Sequence, residues 1–78
     1  MRQKSLRCVI TFHTTSQAIA AERVCKKSGI AGRLIPVPRE ITSGCGMAWS
    51  APAEEEALVR QAMSEYEIAY EGIYQLMI

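Results

Sequence analysis

The stretch Leu6–Gly29, LRCVITFHTTSQAIAAERVCKKSG, decides how this chain folds. Its opening, LRCVITFH, is rich in β-branched and aromatic residues, and Leu6, Cys8, Ile10 and Phe12 alternate onto one side. Strict alternation of this kind predicts a half-buried strand, with Cys8 pointing with the apolar set. The chain then changes period. Thr14 followed three residues later by Gln17 fits a capping box, and Gly29 after Lys26-Lys27 fits a helix stop. Ala20, Ala21, Val24 and Cys25 fall on one helical face between those signals, so Cys25 reads as a small core residue.

Outward from this strand and helix, Gly32–Val37 (GRLIPV) predicts a second short strand, ended by Pro36 and Pro38. A glycine-hinged loop follows, and the segment from about Gly46 to Ser50 predicts a third strand. Pro52 suits the first turn of a second helix, where Glu54, Glu55 and Glu56 complement the positive end of the helix dipole. That acidic triplet reads as a solvated first turn. Leu58, Val59, Ala62, Met63 and Tyr66 recur at helical spacing and are expected to bury one stripe. Tyr70–Ile78 (YEGIYQLMI) predicts the closing strand.

The resulting order, β-α-β-β-α-β, is that of a ferredoxin-like split βαβ sandwich, an α+β fold. The expected architecture is one antiparallel four-stranded sheet in order 4-1-3-2 with both helices on one face. The other face is expected to be open, with Arg7, Val9, Thr11 and His13 on it. Such an open face in a small protein is compatible with a homodimer.

Bulk composition narrows the function classes. The chain has 78 residues, 49% of them hydrophobic and 22% charged, which fits one globular domain spanning residues 1–78. A net charge of +1 gives no nucleic-acid footprint. The apolar runs are too short to span a bilayer, and no apolar segment follows the basic start Met1-Arg2-Gln3-Lys4, so no signal peptide and a cytoplasmic location are expected. Cys8, Cys25 and Cys45 are odd in number and widely spaced, which argues against a disulfide scaffold. No CxxC pair is present to anchor a zinc site with His13, and no metal or other cofactor is expected.

One feature in the middle resists a purely structural reading. Thr42–Trp49, TSGCGMAW, sets Cys45 between Gly44 and Gly46, on a bend where packing is a poor reason for a thiol. In the expected topology the start of strand 3 lies beside the end of strand 1, which brings Cys45 near His13. The first helix opens on the same edge, with Thr14, Thr15 and Ser16. A helix N-terminus and nearby cations stabilise a thiolate, and Arg39 in the same loop is a candidate cation, with Arg33 more distant. Gly44 and Gly46 can take unusual φ values and turn N–H groups toward an anion. The same residues are also compatible with an ordinary hairpin loop, with His13 merely ending a strand and Arg39-Glu40 an exposed ion pair.

Three stretches together resemble a known family. CVITFHTTSQAIAAERV (residues 8–24), RLIPVPREITSGCGMAW (33–49) and YEGIYQL (70–76) are similar to the small selenium/sulfur carrier-like proteins, in order and at matching spacing over nearly the whole chain. PREITSGCG is the most specific piece, supported by TFHTT and EGIY. The resemblance implies that Cys45 is the carrier cysteine. Pro38, Arg39, Glu40, Gly44 and Gly46 are then its motif neighbours, and Phe12, His13 and Thr14 the facing segment. Better-understood sulfur-transfer proteins of this size carry a CPxP signature at a helix start, whereas Cys45 here precedes Gly46-Met47.

The implied function is a sulfur or selenium carrier, more a non-enzymatic carrier than an enzyme. It would hold the atom on Cys45 as a persulfide or selenosulfide, with His13 and Arg39 assisting and Gly44, Gly46, Thr14 and Thr15 lining the site. Its partners would be a donor such as a cysteine desulfurase-type enzyme and an acceptor enzyme, such as a selenophosphate-forming synthetase. A second reading is a ligand-binding or regulatory module of the same fold without thiol chemistry. A third is a redox thiol, for which Cys8 and Cys25 would be too buried to resolve a disulfide.

Overall fold

Alternation in Leu6–Thr11 produces a strand, β1, and the capping signals that follow produce helix α1, Thr15–Lys27. A computed structural model describes residues 4–41 and 43–78 of the chain. Met1–Gln3, most of the basic start, and Thr42 of the glycine-hinged loop lie outside the described residues. The remaining elements are β2 (Arg33–Pro36), β3 (Met47–Pro52), a single 3-10 turn (Ala53–Glu55), α2 (Glu56–Glu65) and β4 (Gly72–Met77). The four strands form one sheet in the order β2-β3-β1-β4, and every neighbouring pair is antiparallel. Element order and sheet order both match the split βαβ expectation.

The start of α1 is fixed by its sequence. The Thr14 side chain accepts a hydrogen bond from the Gln17 backbone N–H at 3.2 Å, and the Gln17 side chain accepts one from the His13 N–H at 3.1 Å. This is a capping box shifted by one residue on its return arm. Ala18, Ala21 and Cys25 are the fully buried positions of α1, whereas Ala20 and Val24 are only half-buried, so the inner face is turned slightly from the expected one. In α2 the buried stripe is Val59, Ala62 and Met63. Leu58 and Tyr66, expected in that stripe, are 50% and 41% exposed. They flank it, and Tyr66 instead receives the Lys27 ammonium over its ring at 5.7 Å. The acidic triplet is divided between two elements: Glu54 and Glu55 lie in the 3-10 turn, while Glu56 opens α2. The Glu56 carboxylate accepts from Arg60 Nε at 3.0 Å and Gln75 Nε2 at 2.9 Å, tying α2 to β4.

Both helices pack on the sheet face that carries Cys8, Ile10, Phe12, Trp49 and Ala51, with Trp49 the largest fully buried side chain. The opposite face is not open as expected. Val9 and Thr11 are fully buried there, and a second, smaller cluster of Val9, Ile41 and Ala48 is joined by Ile35, Val37, Leu76 and Ile78. Its lid is the β2–β3 loop, in which the Ile41 N–H bonds back to the Pro38 carbonyl at 3.0 Å. That turn swings Ile41 over the sheet, where its burial outweighs leaving Val9 wet. His13 follows the end of β1, with its side chain 59% exposed.

Candidate functional site

The antiparallel register of β1 and β3 places Thr11 opposite Ala48, so the segments beyond them, Phe12-His13 and Ser43–Met47, meet at one rim of the sheet. Two contacts dock the loop there. The Ser43 hydroxyl donates to the Phe12 carbonyl at 3.1 Å. Gly44 packs beside His13, where a Cβ on it would stand 3.4 Å from the His13 carbonyl oxygen, an ordinary van der Waals distance. Gly46 has φ +76°, the left-handed region, and turns the chain into β3. Of the two glycines flanking the thiol, then, Gly46 is the one whose conformation calls for glycine.

Cys45 itself sits between them, half-buried against the helix-side core. Its thiol donates to the Met47 carbonyl at 3.3 Å and accepts from the Met47 N–H at 3.4 Å. Deprotonation or substitution of this sulfur removes the first bond and keeps the second, which is the one suited to an anionic sulfur. The other two thiols have a different environment. Cys8 and Cys25 are fully buried, and burial pushes each thiol up to about 11, with Glu56 adding to the effect at Cys8 and the neighbouring Cys8 at Cys25.

A residue outside the expected set organises the rim. Glu71, just before β4, donates its N–H to the Thr11 carbonyl at 2.7 Å. Its carboxylate then accepts the Gly44 N–H at 3.3 Å through one oxygen and faces His13 Nδ1 at 3.7 Å through the other. Glu71 thus clasps the thiol loop to the end of β1. The only sequence signal for it is its place in EGIY, one of the pieces that carry the family resemblance.

The structure therefore brings Cys45, Gly44, Gly46 and His13 to one rim. Thr14 is at the same edge, with its hydroxyl engaged in capping α1, and Thr15 is the exposed first residue of that helix. Arg39 is exposed and forms no hydrogen bond or ion pair with Cys45 among the described residues, nor does the expected Arg39-Glu40 pair form among them. The loop that holds Arg39 runs toward the far face, where Ile41 is buried. Arg33 is on that far face as well, opposite Ser50 of β3.

Fold and site together define a small α+β domain with a glycine-flanked, partly buried thiol held at the sheet rim. The chain belongs to the family described as "Putative Se/S carrier protein-like", whose model matches residues 7–75. That span includes every strand but the first residue of β1 and the last two of β4, and the whole thiol loop. Among curated proteins and among solved structures, nothing matches the chain. No helix among the described residues is long and apolar enough to cross a membrane.

Proposed function

We propose that the protein is a carrier that holds a sulfane sulfur or selenium atom on Cys45 and passes it between two enzymes. The observation that carries this reading is the placement of the three thiols. Cys8 and Cys25 are sealed in the core, while Cys45 stands half-buried on a loop clasped by His13 and Glu71. The proposed loading step is a displacement. The Cys45 thiolate attacks the terminal sulfur of a donor persulfide, a new S–S bond forms on Cys45, the donor S–S bond breaks, and the donor cysteine leaves as a thiolate. No external oxidant is needed, because the sulfane atom moves with its oxidation state unchanged. Delivery is the same step in reverse sense, with an acceptor nucleophile attacking the terminal atom and Cys45 leaving. The Met47 N–H would steady the sulfur in both steps.

In this proposal His13 and Glu71 are positioning residues for the loop, Gly44 and Gly46 shape it, and Thr14 and Thr15 border it on the helix side. Arg39 would act at the docked donor or acceptor, since it is exposed on the same β2–β3 loop. The partners are accordingly a cysteine desulfurase-type donor and a sulfur- or selenium-using acceptor, in the cytoplasm. The test is an intact mass after incubation with a cysteine desulfurase and cysteine. A one-sulfur adduct that dithiothreitol removes and that Cys45→Ser abolishes is expected. The same adduct at the same level in Cys45→Ser overturns the reading.

A further inference from the structure

The sheet face away from the helices holds a second feature, unconnected with the thiol. A cavity of about 600 Å³ opens there, lined among the described residues by three cations, Lys4, Arg7 and Arg33, and by an apolar wall that includes Ile35, Pro38 and Ile78. The cations converge because of the strand register. Arg33 on β2 lies directly opposite Ser50 on β3. Arg7 on β1 reaches the same residue from the other side, donating through Nε to the Ser50 hydroxyl at 3.0 Å and through a terminal nitrogen to the Ser50 carbonyl at 3.3 Å. Ser50 is only 3% exposed, so this anchor is fixed. Among the described residues no carboxylate side chain lines the cavity, and none of the three cations has an ion pair.

Like charges gathered on one sheet face destabilise each other unless an anion sits between them. Arg7 uses two of its five donors on Ser50, which holds its guanidinium plane steady and leaves further donors for a carboxylate or phosphate oxygen. The volume is within the range of roughly 300–1,000 Å³ typical of small-molecule sites, and a largely apolar lining with a few convergent polar groups is their usual chemistry. We propose that this cavity binds a small organic anion, a carboxylate or phosphate monoester on an apolar body, with Arg7, Arg33 and Lys4 holding the charged end and Ile35, Pro38 and Ile78 the apolar end. The cavity is on the opposite face from the core against which Cys45 packs, so ligand and thiol chemistry are separate functions of one sheet.

The experiment is an amide-resolved NMR titration with phenyl phosphate and with benzoate, using benzyl alcohol and inorganic phosphate as the uncharged and non-apolar controls. Saturable shifts at the Arg7, Arg33, Ile35 and Ser50 amides are expected with at least one aromatic anion, and the stronger of the two identifies the charged group. Lys4→Gln combined with Arg33→Gln, both at exposed positions that leave the core intact, should weaken that binding about tenfold or more, equivalent to ~1.4 kcal/mol. Cys45→Ser should leave it unchanged, which separates this site from the carrier reading. Absence of saturable shifts at these amides overturns the proposal. So do equal shifts with benzyl alcohol, equal affinity for inorganic phosphate, or undiminished binding in the double variant.

Discussion

Brief treatment of the native protein with a thiol-alkylating reagent should modify Cys45 and spare Cys8 and Cys25. Two routes could lead a reagent to a buried thiol, and both are restricted here. Direct attack in the folded state requires a thiolate, and raising a thiol from 9.0 to about 11 reduces its thiolate population about a hundredfold at neutral pH. Both side chains also have no exposed surface, so the reagent cannot approach them in the folded state. Attack through opening restores an ordinary thiol, but the open state is rare. With a stability at the low end for a small domain, ~5 kcal/mol, the open fraction is on the order of 1 in 5,000. Cys45 is only partly buried, at the rim, and needs no global opening to be reached. The rate gap should therefore be about three orders of magnitude or more. The assay is intact mass against time, with peptide mapping of the first adduct. One adduct on Cys45 is expected under native conditions, and three of comparable rate in strong urea, matching the three free thiols. Modification of Cys8 or Cys25 within about tenfold of the Cys45 rate would refute the argument, as would a first adduct mapping to either of them.

The same two core thiols predict an alkaline weakness. Unfolded, they ionise from about 9.0, and folded, only near 11, so their contribution is complete below pH 9 and lost as pH rises toward 11. Urea midpoints should fall across that window, with a smaller fall in Cys25→Ala. Gly46→Ala adds a Cβ that meets nothing within 4 Å, so its cost is purely that of φ +76°. It should lower stability by ~1–2 kcal/mol in urea unfolding, and an unchanged midpoint would show that the turn relaxes freely. Glu71→Ala removes the acceptor of the Gly44 N–H and the partner of His13. Hydrogen exchange at Gly44 should accelerate several-fold while β1 amides stay protected, in keeping with a surface hydrogen bond of ~0.5–1.5 kcal/mol.

Particular residues show why the fold was legible and much of the site was not. The β1–α1 unit is determined by neighbours in sequence. Alternation sets the strand, and Thr14 and Gln17 set the helix start by bonding across three residues. Such short-range chemistry leaves a pattern that can be read. Ile41 leaves none. A lone isoleucine among turn residues has no period, and only the completed sheet shows that it covers Val9. The same holds at the edge of α2, where helical spacing includes Leu58 and Tyr66 but cannot say how wide a stripe the sheet will cover. At the rim, the approach of Cys45 and His13 follows from strand order alone. The Glu71 clasp depends on a carboxylate far along the chain finding the Gly44 N–H, and no local signal encodes that.

Glu71 also changes the physical picture of the thiol. Two flanking glycines suggested a cradle of N–H groups around an anionic sulfur, with Arg39 adding charge. In the folded loop the Gly44 N–H is already bonded to a carboxylate, and among the described residues only the Met47 N–H reaches the sulfur. An anionic persulfide on Cys45 would thus be held by one donor, in a loop that contains a bound carboxylate rather than a bound cation. A deep anion site would retain its cargo, and release would then have to overcome that stabilisation. A sulfur steadied by a single N–H at an exposed rim suits transfer better than storage, with the missing positive charge left for the donor or acceptor protein to supply when it docks.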